Sequence, residues 1–156
     1  MVKVIVIFDS STGFTELMAQ AVVEGAQAVS NTEVELLKVG EPFSLRRVET
    51  ADAVIFGAPN IYNNITPGMK SFLENMNEIK EYLQLPGKIG GVFESYGWDK
   101  GQVIQKLNAY LVSFGMKTGA TPLSIAHRTV AEAYIDEDIV QQCRALGKTI
   151  AEQAAK

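Results

Sequence analysis

The stretch Val2-Lys3-Val4-Ile5-Val6-Ile7-Phe8-Asp9-Ser10-Ser11-Thr12-Gly13-Phe14-Thr15 decides the fold. Residues 2–8 are almost continuously apolar and β-branched, as a strand buried on both faces of a parallel sheet must be. Asp9 breaks the run. Beyond the turn, Phe14, Met18, Ala21, Val22, Gly25 and Val29 recur at helical spacing, with Glu16, Gln20, Glu24 and Gln27 facing water. A helix start leaves backbone N–H groups without intrahelical partners and carries a partial positive charge. Hydroxyls from Ser10, Ser11, Thr12 and Thr15 join those amides, and Gly13 admits close approach of backbone to a ligand. The turn therefore reads as a phosphate cradle. Taken alone, it reads equally as a capped helix start, because Ser and Thr are favoured caps.

The kind of phosphate can be narrowed. A nucleotide-hydrolysing loop needs Gly-x-x-x-x-Gly-Lys-Ser/Thr, and a dinucleotide fingerprint needs Gly-x-Gly-x-x-Gly. Only Gly13 is present, and between Asp9 and Phe43 the one basic residue is Lys38, distant from the turn in sequence. A neutral, hydroxyl-lined turn suits one phosphomonoester held without a counter-cation.

Composition bounds the rest. With 156 residues, 47% hydrophobic and 21% charged, the chain reads as one domain (1–156) with a sizeable core. A net charge of -4 speaks against nucleic acid, whose binders carry basic patches. There is no run long enough to span a bilayer, and Met1 leads directly into a core strand, so neither a membrane span nor a signal peptide is expected. One cysteine and one histidine leave no internal disulfide and no Cys- or His-based metal site, in keeping with a cytoplasmic protein.

Strands and helices alternate along the chain. Glu33-Val34-Glu35-Leu36-Leu37-Lys38-Val39 alternates polar and apolar, as an edge strand does. Residues 43–49 predict a short connection or helical turn. Ala51 to Pro59 predicts a second buried strand, and Pro67 opens a helix with a stripe of Met69, Phe72, Leu73, Met76 and Ile79. A strand over 89–96 contains Gly90-Gly91, a sign of close packing or backbone approach. Val103, Leu107, Tyr110, Leu111 and Phe114 mark the next helix, closed by Gly115. Residues 116–125 predict the last strand and 135–154 the last helix, opened by Asp136-Glu137-Asp138 and burying Cys143 as a small core residue. His127 and Arg128 fall in the connection between them and are expected to be solvated.

Five strands joined by helices imply a mostly parallel sheet covered on both faces. Ligands bind such sheets at the carboxyl ends of strands, where the strand order reverses. Three loops qualify, at residues 9–15, 58–66 and 94–101. The second holds Pro59, Asn60, Ile61, Tyr62, Asn63 and Asn64; the third holds Glu94, Ser95, Tyr96, Gly97, Trp98 and Gly101. Aromatic-bearing loops beside a phosphate cradle describe a site for a flat ring carrying a phosphate, and flavin mononucleotide (FMN) fits. Singly, Trp98 also reads as a partly exposed core aromatic and Asn63-Asn64 as plain turn chemistry. A left-handed backbone at β-branched Ile61 or bulky Tyr62 would cost on the order of 1–3 kcal/mol. Asn63 and Asn64 are therefore the expected places for one.

At these residues the chain resembles the flavodoxins: Ser10-Ser11-Thr12-Gly13-Phe14-Thr15 matches their Ser/Thr-x-Thr-Gly-x-Thr phosphate turn. The remainder is more similar to the flavodoxin domain of flavodiiron proteins, also called A-type flavoproteins. Gly57-Ala58-Pro59-Asn60-Ile61-Tyr62-Asn63-Asn64 resembles their second flavin loop and Phe93-Glu94-Ser95-Tyr96-Gly97-Trp98 their third. No di-iron domain is expected alongside this domain, so reduction of oxygen or nitric oxide at iron is not carried over.

The resemblance implies a flavodoxin-like, doubly wound five-stranded parallel sheet of order 2-1-3-4-5. It also implies FMN, with residues 10–15 on the phosphate, 60–64 on the ring edge and one face, and 95–98 on the other face and the pyrimidine side. It implies an electron carrier serving redox partner proteins, with no catalytic residues of its own, no metal, and an open oligomeric state. The alternative is an NAD(P)H:quinone reductase of the tryptophan-repressor-binding-protein type, which needs an open flavin face; Tyr62 and Trp98 are expected to act as lids. A response regulator would need an aspartate cluster after the first strand, where only Asp9 stands.

Overall fold

The structure, a computed structural model, describes residues 1–126 and 134–156; His127 and Arg128 lie outside the described residues. The apolar run at the start forms β1 (Val2–Phe8), the hydroxyl turn follows, and the amphipathic pattern forms α1 (Phe14–Gln27). β2 (Thr32–Lys38), α2 (Arg46–Thr50), β3 (Ala53–Pro59), α3 (Pro67–Glu78) and β4 (Ile89–Tyr96) come next. The chain closes with α4 (Gln102–Ser113), β5 (Lys117–Thr118), β6 (Leu123–Ala126) and α5 (Glu137–Ala154).

All strand pairs are parallel and run in the order β2-β1-β3-β4-β5, with β6 also on β4. β2 lies at the edge, in agreement with its alternating sequence. Along β1, Val4, Val6 and Phe8 pack on one face with α1 and α5, and Ile5 and Ile7 on the other with α3 and α4. Both cores are thus built from one strand's alternation, which is why its sequence shows no polar face.

The last strand departs from the expectation of one run over 116–125. It is broken into β5, opposite Ile89 and Gly90, and β6, opposite residues 93–96. The break is at residues 119–122, where four residues stand opposite Gly91 and Val92. Pro122 has no N–H for the ladder, and a Cβ at Gly119 would lie 2.4 Å from Ile89 Cγ2. Gly90 and Gly91 make room for side chains: a Cβ would lie 2.9 Å from Leu111 Cδ1 at the first and 2.9 Å from Ile150 Cδ1 at the second.

α1 and α5 approach backbone to backbone. A Cβ on Gly25 would lie 1.9 Å from the Arg144 carbonyl oxygen, and one on Gly147 1.9 Å from that of Val22. Cys143 is buried in this contact, and burial pushes its thiol up to about 12. Asp136 caps α5 by accepting from the Ile139 amide at 2.9 Å. Among the described residues no helix is long and apolar enough to cross a membrane.

Candidate cofactor-binding site

The strand order reverses between β1 and β3, so their carboxyl-terminal loops and that of β4 share one end of the sheet. The ladder runs on into these loops: the Asp9 amide donates to Gly57 O at 3.0 Å and the Asn60 amide to Ser95 O at 2.8 Å.

The first loop delivers α1. Its N-cap is Gly13 at φ 93°, a left-handed backbone natural to glycine, which brings no side chain of its own to cap the helix. The amides of Thr15 and Glu16 accordingly have no intrahelical acceptor. Ser11 and Thr12 are exposed at this mouth, and Ser10 Oγ accepts from the Gly13 amide at 3.0 Å. Phe14 is buried in the core, which leaves only its backbone for a ligand. Thr15 and Ser95, also buried, bond to each other through their hydroxyls at 3.0 Å and join the cradle to β4. Acidic Glu16, in the first turn, lies 3.8 Å from Lys38, so that lysine, distant in sequence, stands close to the cradle in space.

The second loop is a miniature hairpin. Ile61 and Asn64 exchange both amide-to-carbonyl bonds, at 2.9 and 3.0 Å, around Tyr62 (φ 50°) and Asn63 (φ 67°). Positive φ at both central residues is the mark of a type I′ turn. The left-handed backbone therefore includes Tyr62, which local cost had argued against, because both favoured two-residue closures, types I′ and II′, demand positive φ at the first central position. Pro59 is the buried last residue of β3.

Glu94, Ser95 and Tyr96 belong to β4, so the third loop proper is 97–101. Glu94 is fully buried, and its two carboxyl oxygens accept from the Gly101 amide at 2.8 Å and the Ile104 amide at 2.9 Å. It caps α4 from below, and Gly101, at φ 93°, is that helix's N-cap. Its place in the site is thus structural, holding the loop that carries Trp98. Tyr96 is half-buried at the strand's end.

Between the second and third loops lies a slot of about 470 Å³ lined by Asn60, Ile61, Tyr62, Asn63, Gly97, Trp98 and Asp99. That is within the range of small-molecule sites. Tyr62 is 95% and Trp98 96% exposed, and they stand on either side of the slot. Asn60 ties the slot together: Nδ2 donates to Asp99 O at 2.8 Å, and Oδ1 accepts from the Asn63 amide at 2.7 Å. Grooves of similar size, between α1 and α5 and beside Lys88 and Lys117, lie away from these loops.

Four further residues organise the site. Asp9 accepts from the Ser10 amide at 2.9 Å and from the Thr66 hydroxyl, linking the first loop to α3, whose N-cap is Thr66. Asp99 supplies its carbonyl to Asn60, and Lys106 Nζ donates to Asn63 O at 2.8 Å and to Asn64 Oδ1. A proline at the first position of α3 was the only sequence signal for Thr66; Asp99 and Lys106 carried none.

Residues 6–138 match the sequence profile of the flavodoxin family. The chain belongs to that family. This flavodoxin-family chain is 33% identical over 154 residues to a protein of Methanosarcina barkeri named NAD(P)H dehydrogenase (quinone), covering 80% of this chain and 74% of that one. A solved flavodoxin from the domain Archaea superposes with a TM-score of 0.85 at 28% identity, covering 99% of this chain and all of its own. The flavodiiron protein of Giardia intestinalis gives a TM-score of 0.81 at 22% identity, a likeness of fold. The match takes in 98% of this chain but only 36% of that protein.

Proposed function

We infer that the chain binds FMN across its three loops and carries electrons between redox partner proteins. One observation carries this reading: the start of α1, with glycine at its N-cap and hydroxyls along its edge, opens at the same end of the sheet as a slot walled by Tyr62 and Trp98. The fit is chemical as well as spatial. Helix-start amides and the hydroxyls of Ser11 and Thr12 suit a phosphomonoester, and two aromatic walls suit a flat ring.

When bound, FMN supplies one- and two-electron chemistry. The residues of this chain hold and orient it. Gly13, Ser11 and Thr12 receive the phosphate; Asn60 fixes the spacing of the two ring-facing loops; Glu94 and the Thr15–Ser95 pair keep the loops in register with the sheet. Denaturing the purified holoprotein and identifying the released flavin by chromatography tests the cofactor. FMN is expected, and flavin adenine dinucleotide as the main product would refute the reading.

The second reading, an NAD(P)H:quinone reductase, draws support from the name of the Methanosarcina barkeri relative. Steady-state NAD(P)H consumption with benzoquinone separates the two. Turnover on the order of ten per second would favour the enzyme.

A further inference from the structure

The second loop combines two features that do not sustain each other. It must stand still to form one wall of the slot, yet its tip holds Tyr62 at φ 50° with the side chain almost wholly in solvent. A strained residue persists only where its surroundings over-determine it. The hairpin bonds between Ile61 and Asn64 are local and leave the tip free to swing as a unit. Asn60 fastens the base of the turn to the third loop, through Asp99 O.

A third attachment comes from outside both loops. Lys106 reaches from α4 to the far side of the turn, where its ammonium donates to Asn63 O at 2.8 Å and to Asn64 Oδ1. Its anchor is rigid, because Glu94 locks the first turn of α4 to β4 through the Gly101 and Ile104 amides. An exposed lysine left to itself keeps its ammonium in water and its stem mobile. Here two acceptors converge on it from consecutive residues of a strained turn.

We propose that Lys106 is a positioning residue, a strap that ties the Tyr62-bearing turn to α4 and so fixes the width of the slot. The proposal rests on the FMN reading of that slot for its ligand, but the strap itself is a property of the chain.

The test uses the full chain with K106M, which removes the ammonium, and K106R, which keeps a charge and can donate to both acceptors. FMN titration of apoprotein is expected to show about tenfold weaker binding in K106M, the size of an exposed charge-assisted bond or two, with K106R within about threefold of the unmodified protein. Apoprotein melting should fall by only about 3–5 °C in K106M, the global counterpart of a tenfold local loss, and by less in K106R. Native-state hydrogen exchange on apoprotein should show the Asn63 and Asn64 amides exchanging about tenfold faster in K106M and not in K106R. FMN affinity in K106M within twofold of the unmodified protein, or unchanged exchange at both amides, overturns the strap. If the unmodified protein itself fails to bind FMN, the functional reading falls, and the exchange measurement alone decides the strap.

Discussion

Replacing Tyr62 by glycine should stabilise the apoprotein while weakening FMN binding. In the left-handed region a residue with a side chain costs about 1–2 kcal/mol, and Tyr62 sits there at φ 50°. Glycine removes that cost but loses about 0.5–1 kcal/mol more conformational freedom on folding. The phenol is 95% exposed, so its loss subtracts no measurable burial. The balance is a gain of about 0.5–1 kcal/mol, or ~1–4 °C in Tm for a chain of this size. With FMN the sign reverses, because one wall of the slot disappears. An aromatic pair contributes about 0.5–1.5 kcal/mol, which predicts a roughly two- to twelvefold rise in Kd. Differential scanning calorimetry of apoprotein and fluorescence titration with FMN read the two effects. Tyr62→Ala is the control: it loses the ring but keeps the strain, so binding weakens with no gain in Tm. A drop in Tm for Tyr62→Gly would refute the strain argument, and unchanged FMN affinity would remove Tyr62 from the site.

Other substitutions address the supports. Glu94→Gln leaves one of the Gly101 and Ile104 amides facing an NH₂ group; a loss of about 2 kcal/mol is expected by urea denaturation. Gly147→Ala forces a methyl group to within 1.9 Å of the Val22 carbonyl and should cost about 3 kcal/mol, while Gly97→Ala, with open space around it, should be near neutral. Cys143, its thiol pushed up to about 12 from 9.0, should react with iodoacetamide at pH 8 only as fast as the protein unfolds. Its folded value is the raised one, so its contribution to stability is whole below pH 9 and is lost as pH rises from 9 to 12. A stability difference between the unmodified protein and Cys143→Ala that narrows across that range checks the sign.

Most of the fold was legible because its strands are buried on both faces. Val4, Val6 and Phe8 serve one core and Ile5 and Ile7 the other, so the run is apolar throughout and announces a central parallel strand. The last strand was legible only in outline. Residues 116–125 are apolar enough to look continuous, and its break depends on what stands beside it: a side chain at Gly119 would meet Ile89, and Pro122 has no N–H to offer the ladder. A single sequence shows such residues without showing their partners.

The candidate site divides along the same line. Residues that must be of a given type because of their own backbone or position were visible: Gly13 at φ 93°, the hydroxyls around it, and the aromatics at strand ends. Residues whose role is to hold another residue were not. Glu94 looked like a member of the ring-facing loop because it precedes Ser95 and Tyr96, yet alternation along β4 turns it inward under α4, away from the slot. Tyr62 was judged one residue at a time, where a positive φ is unfavourable; the Ile61–Asn64 pairing charges that cost to the whole hairpin, whose favoured two-residue closures both need positive φ at Tyr62. Lys106 is the extreme case, a surface lysine 43 positions from Asn63 in sequence with no local signal at all. What a single sequence shows is residues suited to a site by their own chemistry; the geometry that keeps them in place is written in pairs, and pairs appear only when the sheet brings the loops together.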